Sequence, residues 1–255
     1  MTPGKTTTLF DPPVALASLS GQSDADWAEG GAPFAGCAFL GGIALDDATR
    51  RAAREMVARD REEFLPPDPH DFVYRQLRAM ESVPMRAAVN VRSAALAPIE
   101  DAADICRDHD AILEINAHCR QEEMCEAGAG EALLRDPEKL CRQVEAATAT
   151  GASVSVKVRA EVEDVDLPAL APRLERAGAA AIHVDAMDSE SVVADVAGAA
   201  ELFVIANNGV RDAATVREYF GHGADAVSVG RPSDDPDVLA AVRKATHEWF
   251  REAAP

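Results

Sequence analysis

The chain has 255 residues, of which 47% are hydrophobic, and its 44 acidic and 25 basic side chains give a net charge of −19. This length can bury a large core in one α/β barrel or a compact pair of domains, and no apolar run is long enough to cross a membrane. The charge disfavours nucleic acid as a partner because an acidic field repels phosphate, and an acidic, lysine-poor composition is typical of halophilic proteins.

Apolar runs alternate with amphipathic runs along the whole chain. Strands are predicted at Val14–Leu19, Ala35–Leu40, Arg86–Val91, Ala111–Asn116, Val154–Val158, Ala181–Val184, Phe203–Ala206 and Ala226–Val229. A short helix is predicted near Asp24–Glu29, and others begin near Asp46, Pro98, Asp136, Asp166, Ser189, Asp212 and Asp235. Three prolines within Leu65–His70 divide the second helical region in two. Eight strand–helix units in a chain of this length predict a single (β/α)8 TIM barrel over residues 1–255.

Polar residues follow nearly every predicted strand. In a TIM barrel the loops after the carboxyl ends of the strands form the active site, so these residues are the candidate site. They are Ser18, Gly21, Asn90, Arg92, Asn116, Cys119, Lys157, Arg159, His183, Asp185, Asn207, Asn208, Gly209, Gly230 and Arg231. The pairs Asn208-Gly209 and Gly230-Arg231 combine glycine, which permits close backbone approach, with an arginine that can grip phosphate.

Lys157 is one of four lysines, with Lys5, Lys139 and Lys244, and it alone lies in a β-branched run. Such a run predicts a buried strand, and a buried lysine needs an anionic partner or a shifted pKa. The pattern favours contact with an anionic cofactor or substrate. A structural ion pair inside the barrel is the alternative.

The five cysteines are Cys37, Cys106, Cys119, Cys125 and Cys141. An odd number in a chain of this size, which lacks a signal-peptide pattern, indicates free thiols in a reducing compartment and therefore the cytoplasm. A zinc site on His118, Cys119 and Cys125 is the weaker interpretation because Cys-x5-Cys is poor ligand spacing, and no metal site is predicted. Gly221–Ala226 matches a dinucleotide-binding pattern but precedes a strand, so it is interpreted as a turn.

Several segments, in this order, resemble motifs of the FMN-dependent tRNA-dihydrouridine synthase family. They are Ala17-Ser-Leu-Ser-Gly21, Val89-Asn-Val91, Ile115-Asn-Ala-His-Cys119, Ala127-Gly-Ala-Gly130 with Leu134-Arg-Asp-Pro137, Val156-Lys-Val-Arg159, Ile182-His183, Ile205-Ala-Asn-Asn-Gly209 and Val229-Gly-Arg231. The resemblance covers nearly the whole chain, and the order and spacing of the motifs make it specific.

The resemblance implies FMN as cofactor, with NADPH or NADH as a transient reductant. It implies that flavin N5 passes a hydride to C6 of a uracil ring while Cys119, the catalytic acid, protonates C5. The cofactor-binding residues implied are Ser18, Asn90, Lys157, His183, Asn208, Gly209, Gly230 and Arg231. Asn116 and Arg159 are implied to orient the substrate base.

The chain departs from the family pattern at the cysteine, where His118 and Arg120 replace a glycine and a proline. We also expect no C-terminal helical tRNA-binding domain. The resemblance implies a tRNA uridine as substrate. The acidic charge does not exclude RNA, because molar salt screens the repulsion within about 3 Å, and a separate RNA-gripping polypeptide acting in trans is considered as a partner. The alternatives are a reductase or dehydrogenase of a free pyrimidine or another small molecule, similar to dihydroorotate dehydrogenase, and a non-catalytic flavin- or phosphate-binding barrel. None of them involves a membrane.

Overall fold

The computed structural model describes residues 8–253, so Lys5 lies outside the described residues. Eight parallel strands form a closed barrel in chain order, which confirms the predicted (β/α)8 fold. The strands are β1 (Val14–Leu16), β2 (Cys37–Ala44), β3 (Arg86–Arg92), β4 (Ile112–Asn116), β5 (Ser153–Arg159), β6 (Ala181–Asp185), β7 (Phe203–Asn207) and β8 (Ala226–Val229).

Helices cover the outside of the barrel. They are α1 (Ala25–Gly31), α2 (Asp47–Val57), α3 (Pro69–Met80), α4 (Ala97–Asp108), α5 (Glu122–Glu126), α6 (Pro137–Ala149), α7 (Leu167–Arg176), α8 (Val192–Ala199), α9 (Ala213–Gly221) and α10 (Pro236–Ala253), with 3₁₀ helices at Gly130–Arg135 and Arg231–Asp234. Five helices begin directly after an aspartate at which a helix start was predicted. The side chains of these residues accept hydrogen bonds from first-turn amides: Asp24, Asp46, Asp136, Asp166 and Asp212.

The largest difference from the predicted strands is in β2, which continues to Ala44 instead of ending at Leu40. Gly41 and Gly42 have the composition of a turn, but the pairing of β2 with β3 resumes after a register shift between Gly41 and Ile43. A Cβ at Gly42 would lie 2.6 Å from Nη2 of Arg92, so the missing side chain makes room for that arginine. Glycine therefore marks a bulge here rather than a strand end.

The core has two parts. Aliphatic side chains fill the space between the barrel and its helices. Inside the barrel, an apolar cluster that includes Phe10, Phe39, Ile112 and Phe203 is separate from this outer core. Further along the same strands the inward side chains become polar, which confines the candidate chemistry to the carboxyl end of the barrel.

All five cysteines are free, and Cys37 and Cys106 are buried. The turn predicted at Gly221–Ala226 joins the end of α9 to the start of β8. Among the described residues, no helix combines the length and apolar character needed to cross a bilayer.

Candidate active site

A layer of fully buried polar side chains centres on Glu114 of β4. Its carboxylate accepts hydrogen bonds from Asn90 Nδ2 at 2.7 Å and Ser155 Oγ at 3.3 Å, and it lies 2.7 Å from His183 Nδ1. Burial alone would raise the pKa of Glu114, but the charge and hydrogen bond of His183 lower it below its usual value. The sequence analysis did not predict a role for Glu114. The feature that could have indicated one is a single acidic residue within an otherwise apolar strand.

This layer connects to the loop that carries Cys119. Asn116 Nδ2 donates to Asn90 Oδ1 at 2.8 Å, and Asn116 Oδ1 accepts from the backbone N–H groups of His118 at 3.1 Å and Cys119 at 2.8 Å. The amide of Asn116 therefore fixes the first turn of the loop after β4. Its implied role in orienting a substrate base stays a prediction.

The opposite side of the layer reaches the end of β7. Nε2 of His183 lies 2.7 Å from Ser228 Oγ, which lies 3.0 Å from Asn207 Oδ1. Asn90 and His183 are 0% exposed and lie beneath the carboxyl-end cavity. Their implied cofactor contacts are not tested, but both side chains have protein partners that determine their orientation.

Above this layer is a cavity of about 790 Å³, within the size range of small-molecule and cofactor sites. Of the eleven residues to which the resemblance assigns a role, all but Asn90 and His183 line it: Ser18, Asn116, Cys119, Lys157, Arg159, Asn208, Gly209, Gly230 and Arg231. It is also lined by His118, which the sequence considered only as a zinc ligand, and by residues that the sequence did not place in a ligand site, among them Arg61, Met187 and Arg211. The barrel thus gathers the ends of β4, β5, β7 and β8 around one space.

Lys157 lies in the floor of this cavity and is 3% exposed. Burial lowers the pKa of Lys157, while the negative charges of Glu114 and Asp185 oppose that effect. Within residues 8–253, its ammonium forms no hydrogen bond or ion pair, so the structural ion pair considered as an alternative is not formed there. A buried cation facing a cavity favours an anionic or carbonyl-rich ligand.

The cavity is strongly basic although the chain is acidic. Its cations are Arg61, Arg92, Arg120, Lys157, Arg159, Arg211 and Arg231, and Asp185 is its only acid among the described residues. Arg61, Arg120, Arg211 and Arg231 are exposed, and their side chains form no hydrogen bond or ion pair within that part of the chain. Positive charge without protein partners at a cavity mouth attracts anions.

Arg92 is a buried member of this set, with 1% exposure. Nη2 lies 2.8 Å from a Glu63 carboxylate oxygen and donates to Ser20 Oγ at 2.6 Å. Its Nε and Nη1 are buried and have no hydrogen-bond partner within the described residues.

The loops after β7 and β8 leave space for a ligand. Asn208 and Gly209 have left-handed backbone conformations, with φ of +90° and +67°, and Tyr219 Oη donates to Asn208 O at 2.8 Å. A Cβ at Gly209 would meet no atom within 4 Å, so the space over this loop is open. This open loop, with Gly230 and exposed Arg231 beside it, fits the phosphate that the sequence predicted here.

Cys119 lines the cavity and is partly exposed, whereas Cys125 is not part of the cavity wall. Cys119 O accepts from Glu131 N at 2.8 Å and from Cys125 Sγ at 3.5 Å. Gly130, at φ +60°, packs so closely on this carbonyl that an added Cβ would overlap it. The glycine-rich segment after the cysteine therefore packs directly on the backbone of Cys119.

His118, next to Cys119, is hydrogen-bonded through Nε2 to Asp185 at the end of β6. Asp185 also accepts from Asn208 Nδ2 at 3.0 Å and from Met187 N at 3.3 Å. Burial raises the pKa of Asp185, but the hydrogen bond and charge of His118 outweigh it, so the pKa is about 2. No cluster of metal-ligating side chains forms among residues 8–253, so the zinc interpretation of His118 gains no support.

Comparison with known proteins gives one family and two informative relatives. The family model described as dihydrouridine synthase matches residues 68–255. A probable tRNA-dihydrouridine synthase of Rhodobacter capsulatus is 30% identical over 237 residues, which cover 87% of this chain and 68% of that protein. An uncharacterised protein of Methanocaldococcus jannaschii is 25% identical over 256 residues, covering 95% of this chain and 94% of its own length.

Solved structures agree on the architecture. FabK from Thermotoga maritima superposes with a TM-score of 0.57 at 15% identity, covering 92% of this chain and 61% of its own. The 3-hexulose-6-phosphate synthase of Salmonella typhimurium also reaches 0.57 at 14% identity, covering 94% and 99%. At these identities the likeness concerns the barrel fold alone.

Proposed function

The chain belongs to the dihydrouridine synthase family, and on that premise we propose that it is an FMN-dependent enzyme that reduces the C5–C6 double bond of uridines in tRNA. The main observation behind the proposal is that one basic cavity is lined by Cys119, by the buried cation Lys157 and by the open loops after β7 and β8. One barrel over residues 1–255 is the proposed functional unit.

FMN fits this cavity because it combines a phosphate with a ring that carries carbonyl oxygens. Gly209, Gly230 and Arg231, with Asn208, would hold the phosphate, and Lys157 would face the ring from the floor. Ser18 lines the same space, while Asn90 and His183 would act from the buried layer below. When bound and reduced by NADPH or NADH, FMN supplies the hydride.

The protein supplies the proton and the orientation of the substrate. Cys119 would hold a proton on its thiol and transfer it to C5 of the uracil ring, and the hydrogen bonds from Asn116 hold its loop in place. Arg159, which is 7% exposed in the cavity wall, would donate to the base carbonyls. The buried floor excludes water beneath the reacting ring.

The exposed arginines favour RNA over a free pyrimidine as substrate. Arg61, Arg120 and Arg211 line the cavity, are exposed, and form no side-chain hydrogen bond or ion pair within residues 8–253, so they would be free to contact the flanking phosphates of a nucleotide chain. A free base has no flanking phosphates and would not use them. A tRNA substrate supports the cytoplasm as compartment, and the acidic composition supports the proposed adaptation to molar salt.

The first test is the visible spectrum of protein purified at high salt, which should show a flavin released as FMN on denaturation. Arg231→Ala should weaken FMN binding by about 1.5–3 kcal/mol, or roughly 10- to 150-fold, because charge-assisted hydrogen bonds are lost. Lys157→Ala should also reduce occupancy. Unchanged occupancy in both variants would contradict the proposed cofactor site.

The second test is the dihydrouridine content of tRNA from a deletion strain, with and without the restored gene. Loss of dihydrouridine at defined positions, restored by the wild-type gene, is expected. An unchanged content, together with reduction of a free pyrimidine by purified protein, would replace tRNA with the small-molecule alternative.

A further inference from the structure

The least expected side chain in the cavity is His118. The resembling family motif has glycine at this position, yet here an imidazole lines the same cavity as Cys119. Its side chain is 29% exposed, and its Nε2 is hydrogen-bonded to Asp185 across the end of β5. His118, which departs from the motif, and Asp185, which lies outside it, therefore form one pair at the barrel mouth.

The pair has a defined protonation. The Asp185 carboxylate, fixed by Asn208 and by the Met187 amide, accepts the Nε2 proton and so selects one imidazole tautomer. Nδ1 of His118 has no hydrogen-bond partner within residues 8–253 and is the nitrogen left for a ligand. General acids and bases have this arrangement: a carboxylate orients the imidazole through one nitrogen, and the other nitrogen is free to contact the substrate.

We propose that His118, oriented by Asp185, is a second proton donor in this cavity, so that the site can protonate C5 of its substrate when Cys119 does not. The inference rests on the proposed function, because it requires a reduction in which carbon receives one hydride and one proton.

The proton balance is closed by solvent. Nδ1 takes up a proton from water or hydronium, and the Asp185 carboxylate stabilises the resulting imidazolium. The N–H bond at Nδ1 then breaks as a C–H bond forms at C5, and His118 returns to its neutral state. The hydride at C6 comes from the proposed reduced cofactor, so the route needs no further reductant.

The charges around His118 determine when this donor operates. Burial lowers the pKa of His118 below its usual value, and the cations Lys157 and Arg159 act in the same direction, whereas Asp185 opposes them. The imidazolium is therefore scarce at neutral pH and becomes available on acidification. Cys119 would dominate near neutrality, and His118 would contribute under acidic conditions.

The decisive measurement is dihydrouridine formation by FMN-loaded protein on unmodified tRNA between pH 5 and 8. Cys119→Ala should retain slow activity that rises about tenfold for each pH unit of acidification until the imidazolium saturates. The double variant Cys119→Ala/His118→Asn should lose that rise, and Cys125→Ala, the matched thiol control, should follow the wild type. Residual activity that is absent at every pH, or is equal in the single and double variants, overturns the proposal.

A readout without turnover tests the pair itself. Nitrogen-15 NMR of labelled histidines, with His118→Asn to assign the signal, should show the Nε2–H tautomer and a midpoint below the usual histidine range. Asp185→Asn should lower that midpoint further because it removes the stabilising negative charge. An Nδ1–H tautomer, or a His118 midpoint in Asp185→Asn equal to that of the wild type, overturns the inference. A wild type that forms no dihydrouridine overturns the proposed function instead.

Discussion

At the scale of single residues, the site depends on which side chains reach the cavity rather than on which residue types are present. Cys119 and Cys125 are six residues apart, but only Cys119 forms part of the cavity wall. Cys125 turns its thiol to the Cys119 carbonyl, and burial raises its pKa. Cys119 can therefore contact a ligand in the cavity, whereas Cys125 contacts the loop backbone and serves as its control.

We expect Cys119→Ala to bind FMN and accept reduction by NADPH or NADH as the wild type does. Its reduction of substrate at neutral pH should fall by about 10²–10⁴-fold, the usual contribution of a general acid. Stopped-flow measurement of the two half-reactions separates these steps. Cys125→Ala should leave both unchanged, and the opposite pattern would show that the loop is assigned incorrectly.

A second residue-level prediction concerns acid stability. The pKa of Asp185 is lowered from 3.8 to about 2, against its burial, by the hydrogen bond and charge of His118. A depressed pKa stabilises the fold above the unfolded value near pH 4, and this stabilisation is lost as pH falls towards 2. The free energy of unfolding should therefore drop by about 2 kcal/mol more in the wild type than in Asp185→Asn over this range. Urea titrations at fixed salt would measure it, and parallel pH curves would contradict it.

At the scale of elements, the connection from β4 to α6 carries Cys119 and has secondary structure of its own. It contains α5, the 3₁₀ helix at Gly130–Arg135 and two left-handed glycines, Gly128 and Gly130. Gly130 packs against the Cys119 backbone, whereas a Cβ at Gly128 would meet only the end of the Lys139 side chain, at 2.9 Å from Nζ. The two glycines have similar backbone conformations but different surroundings.

Alanine substitution at these glycines should therefore separate backbone strain from steric overlap. Both variants should lose about 1–2 kcal/mol because a left-handed backbone disfavours a Cβ. Gly130→Ala should lose about 1–3 kcal/mol more, since the Cys119 loop has to move, and its Cys119 should be alkylated at a changed rate. Urea unfolding and iodoacetamide kinetics test this, and equal losses with equal alkylation would argue against packing of Gly130 on the Cys119 backbone.

At the scale of the whole molecule, charge is unevenly distributed. The net charge is −19, yet seven of the 25 arginines and lysines line one cavity. The acidic remainder of the surface opposes RNA, while the cavity arginines attract phosphate locally. Which effect dominates depends on salt, because exposed charges are screened over about 3 Å at 1 M.

The lone chain should bind unmodified tRNA more weakly than micromolar at high salt, through few contacts. Arg120→Ala should weaken this binding further and lower the slope of log affinity against log salt by about one. Arg217→Ala is the control, because that arginine lies on α9 and pairs with Glu248 at 3.5 Å. Fluorescence titration with folding monitored independently tests the prediction, and micromolar or tighter binding contradicts it. Tight binding only after a second polypeptide is added would support an RNA-gripping partner in trans.

The amino-acid sequence by itself determined the barrel and most of the residues that line its mouth. Eight apolar strands with polar residues at their ends specify both, because a parallel strand is buried on its two faces and its carboxyl end opens towards the site. Lys157 and Cys119 could be found this way. Only the tertiary structure decided that β2 continues through Gly41 and Gly42 and that Glu114 anchors the buried layer. It alone also paired His118 with Asp185, since these residues are 67 positions apart and local periodicity contains no information about which strand ends meet.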